Sequence, residues 1–239
     1  MTATTSVPRM IIAVAGETDD DIIWGAVERV QLDMFALGPV AIKLAYFGAE
    51  DAGRRRPFIS TRWSTDPYEM ADLIDHARDQ CVCGCFVDIA SVIEAAIAKN
   101  RQEKVEAVVI IGDHLSYPAA DKALADAKQL SAQGTKLFMG LQATPKQAAY
   151  SGVFKHLAQQ TGGAFFAFDP YTERVAERLP DFLRSVAQFA VGGTEALRTL
   201  DSQCATLLLE QIRTNEATLF VDVTAVSLPD RLAKVRNRD

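Results

Sequence analysis

The chain has 239 residues, 49% hydrophobic and 23% charged, which suffices for one domain of upper-middle size with a sizeable core. A formal net charge of -6 and a pI near 5.2 argue against a general attraction to nucleic acid or to an anionic membrane. No apolar run approaches the roughly 20 residues that span a bilayer, and the opening string MTATTSVPR lacks the apolar core of a signal peptide, so a cytoplasmic protein is expected.

Along the chain, apolar strand-like runs alternate with helical patterns, the signature of a parallel sheet covered on both faces. Strands are expected at residues 10–15, 40–47, 58–63, 105–111, 136–141 and 164–168, several of them the continuous apolar runs that buried parallel strands require. Helices are expected at 21–37, 67–78, 89–100, 119–133, 146–161 and 172–191. The string GAEDAGRRRP joins the second and third strands without a helix, which predicts an antiparallel edge hairpin. Its Arg54, Arg55 and Arg56 form the only basic cluster and read as a solvated loop rather than a phosphate-binding patch. Gly192 and Gly193 read as a helix stop, after which a last helix covers 194–213. The remaining string, NEATLFVDVTAVSLPDRLAKVRNRD, reads as one more strand and a charged end.

The expected fold is therefore α/β: three layers, doubly wound around a mostly parallel six-stranded sheet with one antiparallel edge strand, followed by a C-terminal helix and a short strand-like tail. Residues 1–8 are expected to be a flexible N-terminus and 9–193 the domain. Residues 194–239 are expected to pack on that domain or extend it.

Several strings fall in the order found in one family. The first strand runs into AGETDDDIIW, with Trp24 starting the first helix; TRW at 61–63, IIGDH at 110–114, TGGAFFAFD at 161–169 and AQFAVGGTEAL at 187–197 follow. Together with the edge hairpin, this layout over residues 9–213 resembles the von Willebrand factor A family, and in particular its bacterial stand-alone members. The resemblance implies a site at the carboxyl edge of the sheet, where three loops hold a hard divalent cation through oxygen ligands. One coordination position stays open there for an acidic residue of a partner.

Carried over residue by residue, the family's leading Asp-x-Ser/Thr-x-Ser motif falls on Ala15, Gly16, Glu17, Thr18 and Asp19. The leading carboxylate is thus Ala15, and the two hydroxyls become Glu17 and Asp19. The second loop, CGCFVDIA, has Val87 where a threonine is expected, and only the third loop keeps its carboxylate, Asp113. A methyl and an isopropyl group cannot ligate magnesium, so the ordinary site is expected to be absent or weakened, and no cofactor is expected. Two readings compete for what replaces it. Glu17, Asp19 and Asp113, with Asp20 and Asp21 beside them, can hold magnesium or manganese in a rearranged geometry. Alternatively, Asp19, Asp20 and Asp21 cap and charge the N-terminus of the first helix.

The string QCVCGCF places Cys81, Cys83 and Cys85 at alternate positions where the second site loop begins. In an extended segment all three thiols share one face, which suits a soft metal or a redox pair. Zinc sites more often use Cys-x-x-Cys spacing with a fourth ligand, which neither His76 nor His114 supplies by position, so buried thiols are the plainer reading. Four cysteines in a chain of this length fit reduced thiols. Cys204, in the helical string CATLLLEQI, is expected in the core.

An enzyme is not indicated. There is no Gly-x-Ser-x-Gly elbow and no P-loop; Gly162 and Gly163 precede a strand instead of following one, and Asp113 with His114 lacks a recognisable nucleophile. The expected function is binding to another protein through a rim at 15–21, 84–88 and 113–117 that includes Glu17, Thr18, Asp19, Asp20, Asp88, Asp113 and His114. Without a cation this acidic rim favours a basic partner surface. The tail string ATLFVDVTAVSL is expected to add an edge strand to its own sheet or to pair with a second copy as a homodimer.

Overall fold

The computed structural model describes residues 6–15, 20–47, 58–80, 89–112, 117–143, 150–172 and 174–219. In chain order the elements are β1 (Arg9–Ala15), α1 (Asp20–Leu37), β2 (Ala41–Phe47), β3 (Phe58–Ser60), α2 (Pro67–Gln80), α3 (Ile89–Asn100) and β4 (Ala107–Gly112). Then follow α4 (Tyr117–Ala132), β5 (Lys136–Gln142), α5 (Ser151–Gln160), β6 (Ala164–Phe168), α6 (Val175–Arg198) and α7 (Gln203–Leu219). The six strands form one sheet in the order β3-β2-β1-β4-β5-β6. Every neighbouring pair is parallel except β2 with β3.

Alternation along the strands divides the core between the two faces. Met10, Ile12 and Val14 of β1 join Trp24, Met70, Leu183 and Leu208 on the face covered by α1, α2, α6 and α7. Ile11 and Ala13 join Ile93, Ala123 and Phe154 on the face covered by α3, α4 and α5. Apolar helices on both sides explain why β4 reads AVVIIG with every residue buried.

The expected third strand pairs regularly only as far as Ser60, because a bulge follows. Ala45 faces Ser60, yet Ile42 bridges Ser64, so one extra residue lies on the β3 side. Lys43 explains the irregularity. It points into the α3 face at 6% exposure, and its ammonium donates to the Thr61 carbonyl, while the Thr61 hydroxyl accepts from the Leu44 amide at 3.0 Å. Trp63 closes over the cation, its ring 5.1 Å from Lys43 Nζ and 5.9 Å from the Arg9 guanidinium carbon, and its Nε1 donates to Glu103 at 2.6 Å. Burial, helped by nearby Lys99, holds the Lys43 ammonium below its ordinary pKa, against the opposing pull of Glu103.

The C-terminal third departs from expectation in part. The glycine pair breaks the helix as expected: Gly192 (φ -142°, ψ 17°) and Gly193 (φ 63°, ψ -150°) both leave helical geometry, Gly193 in the positive-φ region that favours glycine, and a further helical stretch within α6 reaches Arg198. The chain breaks a second time where Ser202 caps a new helix by accepting from the Ala205 amide at 3.0 Å while donating to Asp181 at 2.7 Å. The single helix expected over 194–213 is therefore split between α6 and α7. α7 runs on through Leu219 because Leu208, Ile212 and Asn215 keep a buried stripe at helical spacing. Ala217, Thr218 and Leu219, the start of the expected tail strand, are thus helical; residues 220–239 lie outside the described residues. Of the helix expected over 146–161, residues 151–160 are helical and 146–149 lie outside the described residues. Among the described residues, no helix is long and apolar enough to cross a membrane.

At the β6 edge, α7 supplies side chains where another strand would supply backbone. Gln211 accepts from the Phe165 amide and donates to the Phe165 carbonyl, both at 2.9 Å, and Asn215 donates to the Gly163 carbonyl at 2.8 Å. Cys204 is a core thiol as expected, 3% exposed, and burial together with Asp181 pushes its pKa up to about 12.

Two outcomes follow from this packing. A Cβ at Gly163 would stand 1.8 Å from the Leu137 carbonyl oxygen, so Gly163→Ala is expected to lose about 3 kcal/mol or more by urea unfolding, or to fail to accumulate as folded protein. Cys204 is expected to resist iodoacetamide at neutral pH until the protein is unfolded. The folded thiol keeps its proton after the unfolded one has lost it. This contribution to stability is therefore complete below the ordinary 9.0 and declines as pH rises towards about 12, and Cys204→Ala is expected to flatten the alkaline fall.

Candidate functional site

β1 and β4 lie side by side at the centre of the sheet and end together, with Ala15 opposite Gly112. From β1 the chain proceeds through α1 to β2 on one side; from β4 it proceeds through α4 to β5 on the other. The strand order therefore reverses between these two ends. In open α/β sheets such a switch point opens a crevice outside the carboxyl ends of the strands, where ligands bind. α1 starts there on one face, and α4 starts there on the other. Their N-termini direct free amides and positive dipole ends at the edge.

Ala15 ends β1, and Asp20 opens α1, where Asp21 is exposed. Glu17, Thr18, Asp19, Asp88, Asp113 and His114 lie outside the described residues, as do Cys81, Cys83 and Cys85 and the side chain of Asp20. What the fold brings together is the set of anchors on which those loops hang: Ala15 with Gly112, and the first residues of α1 and α4. His76 lies on α2 and His156 on α5, on opposite faces of the sheet, and His156 Nε2 meets Gln160 at 3.3 Å. Among the described residues, no three His, Cys, Asp or Glu side chains are grouped so as to hold a metal.

Two polar atoms at this end of the sheet escaped the sequence reading. Gln142, the last residue of β5, is 5% exposed, and its Oε1 has no hydrogen-bond partner among the described residues. Trp24, in the second turn of α1, is fully buried with its Nε1 likewise unpaired among the described residues, and its ring meets Tyr46 edge-on at 6.5 Å. An acceptor and a donor without partners are rare in a packed interior and concentrate where function or ordered water intervenes. The only sequence signal for Gln142 was a polar residue terminating the apolar run KLFMGL.

No family model and no curated protein matches the chain. Solved structures do match. The VWA domain of SpRpn10 has a TM-score of 0.55 at 12% identity, covering 74% of this chain and 95% of that one. BatB from Bacteroides thetaiotaomicron, a conserved hypothetical protein, has a TM-score of 0.53 at 12% identity over 76% of this chain and 99% of that one. The human COPII-coat protein Sec24c has a TM-score of 0.51 at 11% identity over 76% of this chain, but the match spans only 32% of the Sec24c chain. At these identities the likeness is one of fold, that of a three-layer α/β domain, which in this chain has a six-stranded, mostly parallel sheet with one antiparallel edge strand.

Proposed function

We propose that this chain is a protein-interaction domain of von Willebrand factor A type that binds through the carboxyl edge of its sheet and works without the usual magnesium site. The observation that carries the reading is the coincidence of the switch point with Ala15. β1 delivers its last residue to the crevice between β1 and β4, where the family's first ligand stands, and that residue offers only a methyl group. Val87 occupies the second loop's threonine position, and Asp113 alone keeps the expected carboxylate. This donor set does not fit the ordinary hexacoordinate site, so no step is assigned to a cation.

By sequence the rim still carries Glu17, Asp19, Asp20, Asp88 and Asp113, with Thr18 and His114 beside them. With no cation to bridge to an acidic partner, the charge preference inverts, and a basic protein surface is the complementary one. The N-termini of α1 and α4 temper the repulsion among these carboxylates. Such an edge binds without turnover, and the domain acts as an adaptor. The setting proposed for it is the cytoplasm.

Two measurements test the reading. In thermal unfolding scans with EDTA, magnesium or manganese, the midpoint is expected to stay unchanged. A cation at about 100 times its dissociation constant would stabilise by about 2.7 kcal/mol, or about 5 to 10 °C for a chain of this size. A rise of that kind that vanishes in Asp113→Ala would instead establish a rearranged site built on Glu17, Asp19 and Asp113. In affinity capture, the double variant Asp19→Lys with Asp113→Lys is expected to lose the partners that the native chain retains; undiminished capture would remove the carboxyl edge as the contact surface.

A further inference from the structure

The β6 edge and the groove beside it constrain the C-terminal segment, independently of the reading of the carboxyl edge. α7 runs antiparallel to β6. Gln211 meets Phe165, Asn215 meets Gly163, and a Cβ at Gly162 would touch Leu219 at 3.3 Å. The outward backbone groups of Gly163 and Phe165 are thus already taken, and a further strand cannot pair there. A groove of about 400 Å3 remains open between α5 and α7, floored by Phe165 and walled by Lys155 and Gln159 on one side and Glu210 and Thr214 on the other. The exposed Lys155 ammonium lies 5.3 Å from the centre of the Phe165 ring.

We propose that this groove receives the chain's own segment from Phe220 to Ala225, with the Asp222 carboxylate on the Lys155 ammonium and Val221 and Val223 on the Phe165 ring. The chain leaves α7 at Leu219, at the amino edge of the sheet, so a reversal of one or two residues brings it to the mouth of the groove. An extended segment advances about 3.3 Å per residue and a helix about 1.5 Å. Two extended residues therefore match the distance along α7 from Asn215 back to Gln211. Alternation in an extended segment puts Val221 and Val223 on one side and Asp222 and Thr224 on the other. Asp222 is the one acid between Leu219 and Pro229, and Lys155 is the one cation among the residues lining the groove. Glu210, the one acid of the lining, stands on the α7 wall and repels Asp222 towards α5.

Carbodiimide coupling of the full-length chain tests the placement, because it joins a carboxylate to an amine only in direct contact. Peptide mass spectrometry is expected to show a Lys155–Asp222 amide alongside a control amide between Lys136 and Glu216, whose ion pair measures 2.8 Å. Asp222→Asn is expected to lose the first and keep the second. Coupling a mixture of light and heavy-nitrogen-labelled chains separates the two possible sources of the segment. A Lys155–Asp222 amide confined to single chains supports the proposal; one that joins light to heavy chains means that a second copy's tail fills the groove, and overturns it. The control amide without the Lys155–Asp222 amide overturns it as well.

Discussion

The parallel pairing of β1 with β4 is the constraint on which the rest of the molecule depends. Both strands are buried on both faces, so their side chains admit almost nothing polar, and every helix is placed by the need to cover one side or the other of them. The same pairing creates the switch point, because the chain must leave the two strands in opposite directions. Polar and charged residues are thereby displaced from the sheet into the loops at its carboxyl end, where they are free to vary without cost to the core.

Both edges of the sheet are managed by side chains. At one edge, a buried lysine takes a carbonyl from the neighbouring strand, a threonine hydroxyl substitutes for a ladder acceptor, and Trp63 shields the cation that results. At the other, two amide side chains of α7 imitate the donors and acceptors of a seventh strand. The α7 device satisfies outward backbone groups of β6 that would otherwise invite pairing with another chain, whereas the Lys43 device seals the join between β2 and the segment after β3. Each also ties a late or peripheral segment to the centre: Glu103 and Arg9 hold Trp63 from the amino end, and Lys136 reaches Glu216 of α7 from β5.

Domains that share this architecture at 11 to 12% identity demonstrate how little of it depends on particular residues. In this chain the fold fixes a position, the crevice at the ends of β1 and β4. Trp24 Nε1 and Gln142 Oε1, both buried near the same end, have no partner among the described residues.

Periodicity sufficed for the layers, since continuous apolar runs such as AVVIIG alternating with amphipathic helices call for a parallel sheet covered on both faces, and the helix-free connection GAEDAGRRRP marked the antiparallel edge; the strand order came only from the tertiary structure. The candidate rim was placed in the sequence by family resemblance; the structure shows the ends of β1 and β4 side by side at the switch point, while the loops that carry Glu17, Asp19, Asp88 and Asp113 lie outside the described residues. Local chemistry marked the first break at the C-terminal end, where Gly192 and Gly193 leave helical geometry, but not the second, which Ser202 makes by capping α7 and donating to Asp181. Neither the bulge around Lys43 nor the amide cap on β6 could be read from the chain. Each joins residues far apart in sequence, Lys43 to Thr61 and Gln211 to Phe165, and their partnership exists only once the sheet has brought them together.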